Sequence, residues 1–185
     1  MQRVALVVID MQKGFGDPDY WGPRNNPDCE DNVAALLDGW RRADQPVVIV
    51  RHDSAEPASP FVPGKPGNEL QELVEGDRDL LVAKSVSSAF HGEPDLGEWL
   101  RGEGIEKVVM CGAQTNMCCE TSARVGANLG FDVSFAIDAT HTFDLTDASG
   151  VTITADELAR VTHANLDKEF CRVVTTSEAL GLVGG

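Results

Sequence analysis

The sequence predicts an α/β fold of three layers, in which a mainly parallel sheet of about six strands carries helices on both faces. Short, nearly continuous apolar runs suit strands that are covered on both faces, and amphipathic stretches with helical spacing separate these runs. The runs lie at Arg3–Ile9, Pro46–Arg51, Asp79–Ala83, Lys107–Cys111, Asp132–Ile137 and Arg172–Thr175. Because strands that alternate with helices form parallel sheets through right-handed crossovers, the predicted fold is doubly wound and Rossmann-like.

Apolar residues spaced three and four apart predict the helices between these strands. They are Val33, Leu36, Leu37 and Trp40 after the first strand, Leu96, Trp99 and Leu100 after the third, and Leu158, Val161 and Leu166 after the fifth. Capping residues indicate where the helices begin, with Asp31 or Asn32 at the first and Asp95 at the second. Thr154, followed three residues later by Glu157, predicts a capping box at the third.

The length of the chain suits a single domain, 1–185. Its 185 residues lie in the usual range of a compact domain, and 42% hydrophobic residues are enough to form a core. No apolar run approaches the roughly 20 residues of a membrane span, and Met1–Asp10 is interpreted as a core strand without a secretion leader. We therefore expect a soluble protein that is not exported.

The cysteines are an odd set with no C-x-x-C pair, which fits neither a disulfide framework nor a structural zinc site. They are Cys29, Cys111, Cys118, Cys119 and Cys171. Free thiols in a reducing compartment are the simpler interpretation, and this predicts a cytoplasmic location. Cys111 and Cys171 lie in apolar strands and are expected to be structural, whereas Cys29 is expected in a loop that is open to solvent.

The net charge disfavours several kinds of partner. Fifteen basic residues against thirty acidic ones give a net charge of -15, which repels nucleic acid and anionic membrane surfaces. The acidic surface is interpreted mainly as a solvated face. It would also favour a cationic substrate, and the sequence leaves that alternative open.

Two long connections interrupt the alternation of strands and helices, Gln12–Asp31 and His52–Asn68, and both are rich in Pro, Gly and Asn. Loops of this length in a compact domain are usually functional. The glycine-rich turn of dinucleotide-binding folds is missing, because Ile9 is followed directly by Asp10 and Met11. A nucleotide-dependent oxidoreductase is therefore disfavoured.

Three polar residues follow strands, at the edge where open α/β sheets bind their ligands. Asp10 ends the first strand, Lys84 ends the third, and Cys118 follows the fourth, where a helix is predicted to begin. Singly, each has an ordinary structural explanation, such as a helix cap or a solvated strand end. Together they predict a nucleophile, because a cation and a helix start lower the pKa of a thiol and a carboxylate can accept its proton.

The segment around Cys118 also carries a family resemblance. Gly112, Thr115 and Cys118 follow a G-x-x-T-x-x-C spacing, with Thr121 and Ala123 in the helix beyond. This spacing resembles that of the isochorismatase-like cysteine hydrolases. Further segments look like other motifs of that family, so the resemblance covers nearly the whole chain: they are Val8–Gln12 with Phe15, Lys84 with Ser88–Phe90, and Asp138–Thr140.

The resemblance implies a catalytic triad of Asp10, Lys84 and Cys118. It also implies a cis peptide bond between Ala113 and Gln114, and an oxyanion hole formed by the backbone N–H groups of Gln114 and Cys118. The implied reaction is attack of the Cys118 thiolate on an amide carbon, loss of ammonia or an amine, and hydrolysis of the thioester, with no cofactor. Proteins of this type commonly form homodimers or homotetramers, and the same is expected here.

The sequence departs from the family pattern at two places. Cys119 stands where the family usually has Val, and a rotation of about 100° from Cys118 along a helix predicts that it is a small buried side chain. Nicotinamidases of the superfamily have a metal-binding Asp-x-His element where this chain has Arg51, His52 and Asp53. We therefore expect no metal site. The vinyl-ether hydrolysis of isochorismate needs no thiol nucleophile, so the presence of Cys118 disfavours it.

Residues on or near the long loops are the candidates for contact with the substrate. They are Phe15, Tyr20, Trp21 and Arg24 on the first loop, Phe61 on the second, and His141 after the fifth strand. Each of them is also explained as a packed loop anchor or as an interface residue.

The function predicted from the sequence is that of a cofactor-free hydrolase, which cleaves a C–N bond of a small carboxamide, carbamoyl compound or lactam through a Cys118 thioester. A metal-dependent nicotinamidase-type amidase and an isochorismate-type vinyl-ether hydrolase are the alternatives on the same fold. The alternative from another class is a non-catalytic binding domain, which is expected to lack a member of the triad.

Overall fold

The structure is a computed structural model that describes residues 3–184. The predicted domain 1–185 extends beyond it at both ends, so Met1, Gln2 and Gly185 lie outside the described residues. Within them, the strands follow in the order β1 (Val4–Ile9), β2 (Val47–His52), β3 (Leu80–Lys84), β4 (Lys107–Ala113), β5 (Asp132–His141), β6 (Leu145–Thr146), β7 (Thr152–Ile153) and β8 (Arg172–Val174).

Six of these strands form one sheet in the order β3-β2-β1-β4-β5-β8, and every neighbouring pair in it is parallel. The predicted fold class is therefore confirmed. The two remaining strands, β6 and β7, form a small antiparallel hairpin. No sequence pattern had indicated this hairpin, because strands of two residues are too short to show a periodicity.

The helices cover both faces of the sheet, as predicted. They are α1 (Pro18–Trp21), α2 (Cys29–Arg42), α3 (Leu96–Gly102), α4 (Glu120–Asn128), α5 (Ala155–Glu169) and α6 (Thr176–Leu180). The strand β1 divides its side chains between two cores, because successive residues point to opposite faces. Leu6 and Val8 pack with α2 and α6, whereas Val7 and Ile9 pack with α3, α4 and α5.

Two of the three predicted helix starts are correct, and the third is not. Asp95 accepts a hydrogen bond from the Glu98 N–H at 2.7 Å, and Thr154 forms the predicted capping box with Glu157. The first long helix begins at Cys29 rather than after Asp31 or Asn32, and the Asn32 side chain instead donates to the Asp138 carbonyl at 2.7 Å. A polar residue inside the first turn can bond across the fold, and this use is invisible to a local capping pattern.

The apolar face predicted for α5 is narrower than expected. Leu166 is fully buried, but Val161, which has the correct helical spacing, is 54% exposed to solvent.

Among residues 3–184, none of the helices combines the length and the apolar character that a bilayer span requires.

Gly112 lets β4 pass close to the end of β1. Its φ of 118° favours glycine, and a Cβ atom at this position would collide with the carbonyl group of Ile9. Ile9 and Gly112 are also partners in the parallel register. This close approach brings Asp10, the residue after β1, to the same edge of the sheet as the chain that leaves β4.

Candidate active site

The ends of three parallel strands bring Asp10, Lys84 and Cys118 together. The Lys84 ammonium lies 2.6 Å from Asp10 Oδ2 and 3.3 Å from Cys118 Sγ. The Lys84 and Asp10 side chains are almost fully buried, with 0% and 1% exposed. The three residues singled out from the sequence therefore lie together at one edge of the sheet.

Asp10 is held in an unusual backbone conformation. Its φ of 53° lies in the left-handed region, which costs a non-glycine residue about 1 kcal/mol or more. The Asp10 N–H donates to the Val50 carbonyl at 2.9 Å, which fixes the residue between β1 and β2. One carboxylate oxygen binds Lys84, whereas Oδ1 has no hydrogen-bond partner within residues 3–184. A buried acceptor without a partner is free to take a proton.

Cys118 lies in a single π-helical turn, Thr115–Cys119, between β4 and α4. The Gln114 carbonyl accepts hydrogen bonds from the N–H groups of Met117 and Cys119, which fixes this turn at its start. Ser122 Oγ donates to the Cys118 carbonyl at 2.6 Å. The long helix was predicted to start at Cys118, but α4 begins at Glu120. Such π turns occur frequently at functional sites.

The neighbouring thiols lie outside this site. Cys119 is fully buried in the core beside α4, and Cys111 is fully buried in β4, so the structural roles predicted for both are confirmed. Cys171 is half-buried. The prediction for Cys29 was wrong, because this residue begins α2 and is fully buried.

The electrostatics of the site differ from the predicted thiolate. Burial and, next, the Asp10 carboxylate raise the pKa of Cys118 to about 12, because the opposing effect of Lys84 is smaller. Burial also raises the pKa of Asp10, against the attraction of Lys84. Burial lowers the pKa of Lys84, but Asp10 and Cys118 outweigh it and raise this pKa. The resting site therefore holds a neutral Cys118 thiol beside the Lys84–Asp10 ion pair, whose charged atoms lie 2.6 Å apart.

A cavity of about 320 Å³ opens above Cys118. Its walls are mostly apolar and aromatic, and they include no Lys or Arg among the described residues that line it. The lining residues are Asp10, Phe15, Trp21, His52, Ser59, Phe61, Gln114, Met117, Cys118 and Leu145. Phe15 packs against Phe61 and Trp21 with ring centroids 4.6 and 5.0 Å apart, so the two long loops close the cavity together.

Three of the candidate substrate contacts do not line this cavity. Arg24 turns away to form an ion pair with Glu30, with N–O distances of 2.8 and 2.9 Å, and Tyr20 is 51% exposed. His141 belongs to β5 rather than to the loop after it, and it is fully buried, with its ring edge against Phe15. Burial lowers the pKa of His141 to about 4, so this imidazole is neutral.

His52, Ser59, Met117 and Leu145 line the cavity and were not predicted as substrate contacts. Of these, only His52 could have been found from the sequence, because it ends β2 and pairs with Lys84, which ends the neighbouring strand β3. In the sequence, His52 stood out only as part of an absent metal motif.

The peptide bond between Ala113 and Gln114 is cis, the form that the resemblance implies. The Gln114 N–H has no acceptor within residues 3–184, and Gln114 lines the cavity beside Cys118. An unpaired backbone N–H next to a nucleophile is a suitable donor for a developing oxyanion.

Asp10, His52 and Cys118 are the described residues that could hold a metal ion, because one ligand atom from each lies within 4.8 Å of the others. The Lys84 ammonium, however, lies within hydrogen-bond distance of all three residues. Its positive charge occupies the centre of this donor set, and a second cation there would be repelled. The set therefore fits the Lys84 ammonium group rather than a metal ion.

The pH dependence of alkylation tests the neutral state of the thiol. Because only the thiolate reacts and burial raises the pKa of Cys118 to about 12, we expect iodoacetamide to label Cys118 slowly near pH 7 and faster throughout the alkaline range. Asp10→Asn is expected to speed labelling near pH 8, because it removes a carboxylate that raises this pKa. Peptide mass spectrometry measures the rates, with the half-buried Cys171 as the reference thiol. A labelling rate that is already maximal near pH 7 would contradict this account.

The chain is similar to known proteins over nearly its whole length. The family model described as the Isochorismatase domain matches residues 4–178. The chain is 34% identical over 180 residues to the isochorismatase family protein YrdC of Bacillus subtilis, covering 97% of this chain and 95% of YrdC. It is 33% identical over 184 residues to Nicotinamidase 3 of Arabidopsis thaliana, covering 92% and 83%. The crystal structure of an isochorismatase-family protein from Chromobacterium violaceum superposes with a TM-score of 0.91 at 39% identity, covering 99% and 94%.

Proposed function

The chain belongs to the isochorismatase family of hydrolases, and on this premise we propose that it is a cofactor-free cysteine amidohydrolase. Its substrate is a small uncharged carboxamide, carbamoyl compound or lactam. The observation that carries the proposal is the position of Cys118, whose sulfur contacts the buried Lys84–Asp10 pair on one side and the cavity on the other.

The first step forms the thioester. Cys118 Sγ attacks the amide carbon while its proton moves to Asp10, whose Oδ1 is unpaired. Because the pKa of the thiol is about 12, proton transfer accompanies the formation of the C–S bond rather than preceding it. Lys84 remains an ammonium group and stabilises the negative charge that the proton transfer leaves on sulfur. The backbone N–H groups of Gln114 and Cys118 stabilise the oxyanion.

The later steps return the site to its resting state. The tetrahedral intermediate collapses, the C–N bond breaks, and the proton on Asp10 passes to the departing nitrogen as ammonia or an amine leaves. A water molecule then gives a proton to Asp10 and attacks the thioester carbon. Breaking the C–S bond releases the carboxylic acid, and the proton returns from Asp10 to Cys118.

The walls of the cavity support an uncharged substrate. The described lining residues include no Lys or Arg, so a dicarboxylate such as isochorismate would lose its hydration without gaining a cationic partner at the wall. The Lys84 ammonium lies behind Asp10 and Cys118 and is already neutralised by Asp10.

A non-catalytic binding domain would not require Asp10, Lys84 and Cys118 to lie together in this way.

The proposal extends to location and assembly. All five cysteines are free, which is consistent with a reducing, cytoplasmic compartment. Assembly as a homodimer or homotetramer is also proposed.

A panel of small substrates tests the class of reaction. We expect the wild type to release ammonia or an amine from at least one uncharged compound among nicotinamide, benzamide and simple carbamoyl compounds, or to open a lactam to the corresponding amino acid. Analogues that carry a carboxylate on the same framework are expected to be at least about tenfold poorer in kcat/KM, because no cation at the wall receives the carboxylate. Turnover of isochorismate, with no release of ammonia or amine from any amide, would overturn the proposal.

A further inference from the structure

The Lys84 ammonium determines the state of a third neighbour, His52. An ammonium group has three N–H donors and no acceptor. It lies 2.6 Å from Asp10 Oδ2, 3.3 Å from Cys118 Sγ and 3.1 Å from His52 Nδ1. Because Lys84 only donates, the third contact is a hydrogen bond only if Nδ1 of His52 is an unprotonated acceptor. The proton of the neutral imidazole must then be on Nε2.

The other ring nitrogen is available to a ligand. His52 Nε2 makes no hydrogen bond to any residue between 3 and 184, and His52 is part of the cavity wall. We propose that His52 is a specificity-determining residue, whose Nε2–H donates a hydrogen bond to a second acceptor atom of the substrate, separate from the amide that is cleaved. This inference rests on the proposed amidohydrolase function and adds to it the kind of substrate that the site selects.

The backbone of His52 is fixed from both sides by buried polar side chains. Its N–H donates to Gln12 Oε1 at 2.8 Å. Its carbonyl accepts from Gln12 Nε2 at 3.0 Å and from Asn68 Nδ2 at 2.9 Å. The ring stands edge-on to Phe61, with centroids 6.1 Å apart and an interplanar angle of 78°. A donor whose orientation is fixed in advance gives more selectivity than a mobile one.

Burial and the neighbouring Lys84 ammonium keep the imidazole of His52 neutral. Lys84 faces it from β3, Asp10 from the end of β1, Cys118 from the π-helical turn, and Asp53 follows it in the chain. Burial and then Lys84 lower the pKa of His52, against the smaller opposing effects of Asp10 and Asp53. A neutral N–H donor does not compensate the charge of a buried anion, so the favoured substrate is an amide with an uncharged second acceptor, such as a ring nitrogen, an ether oxygen or a second carbonyl group.

The tautomer can be measured without any substrate. In ¹⁵N NMR spectra near pH 7, we expect His52 to be neutral with its proton on Nε2, in the wild type and in Cys118→Ala, which keeps the contact with Lys84. The exposed His163 on α5 provides the internal reference. A proton on Nδ1, or a doubly protonated imidazole near pH 7, would overturn the inference whether or not the chain hydrolyses amides.

Kinetics separate recognition from a structural role. Each amide that is turned over is compared with its analogue without the second acceptor, as in nicotinamide and benzamide. Because His52→Phe also removes the acceptor of one Lys84 N–H, we expect some loss with both amides, but a loss in kcat/KM about tenfold larger for the acceptor-bearing amide, mainly through KM. His52→Gln, which offers Lys84 an acceptor and the substrate a donor, is expected to recover most of the difference. Equal losses on both amides would overturn the inference. If the wild type hydrolyses no amide, the proposed function and the recognition role both fail, and the tautomer then decides only whether His52 presents an Nε2–H donor to the cavity.

Discussion

Cys118→Ala is expected to lower kcat/KM for the preferred amide by at least about 10⁴-fold, because removal of a covalent nucleophile leaves only binding and oxyanion stabilisation. The fold should persist, since Cys118 is only partly buried and alanine suits a helical turn. Ammonia release measures the first effect, and chemical denaturation measures the second.

Cys171→Ala is the matched control for this variant. Cys171 is also partly buried, with a pKa raised by burial to about 12, but it lies next to β8, outside the cavity. It should retain the activity of the wild type. Undiminished turnover in a correctly folded Cys118→Ala protein would show that Cys118 is not the nucleophile.

Lys84→Met is expected to have the largest effect on stability, a loss of about 3 to 5 kcal/mol in the free energy of unfolding near pH 7. The change leaves the Asp10 carboxylate buried, with 1% of its side chain exposed and no cation beside it. Activity should be lost as well, because the charge that develops on sulfur loses its partner. Urea denaturation with a probe of secondary structure measures the stability.

The pH dependence of this variant follows from Asp10. Burial already raises the pKa of Asp10, and Lys84 lowers it, so removing Lys84 raises it further. A carboxyl group whose pKa is raised in the folded state costs stability above that pKa and ceases to cost it at lower pH. The deficit of Lys84→Met relative to wild type should therefore shrink as the pH falls from 7 towards the ordinary pKa of an aspartate. The second change Asp10→Asn should recover much of it near pH 7.

An exposed ion pair provides the control for burial. Lys13 and Glu69 are also 2.6 Å apart, but at the protein surface. Lys13→Met should leave the free energy of unfolding nearly unchanged, because solvent screens such a pair. A Lys84→Met protein as stable as Lys13→Met near pH 7 would contradict the interpretation of the buried pair.

The positions of Asp10, Lys84 and Cys118 could be predicted because a parallel sheet brings the carboxyl ends of its strands to one edge. Polar residues at those ends meet in space although 74 residues separate Asp10 from Lys84. The strands were predictable for a related reason, since burial on both faces leaves a continuous apolar run.

The protonation state of Cys118 could not be predicted in the same way. Lysine and a helix start suggested a thiolate, but burial and the Asp10 carboxylate outweigh Lys84 and raise the pKa of the thiol. The net sign depends on distances and solvent exposure that a sequence does not contain.

The sequence also could not predict which way the side chains of the long loops point. Phe15 and Trp21 face the cavity, whereas Arg24, on the same loop, binds Glu30 at the start of α2. No periodicity orders such a segment, so the packing partner alone decides which way each side chain points. His52 was missed because its importance comes from the geometry around Lys84 rather than from a motif.

A thioester on Cys118 can be trapped by quenching the enzyme in acid during turnover of its preferred amide and mapping its peptides by mass spectrometry. We expect the peptide with Cys118 to carry the acyl group of the substrate, added hydroxylamine to divert this group to a hydroxamate, and Cys118→Ala to give neither product. Continued turnover with no acyl group on Cys118 and no hydroxamate would show that the reaction does not pass through a Cys118 thioester.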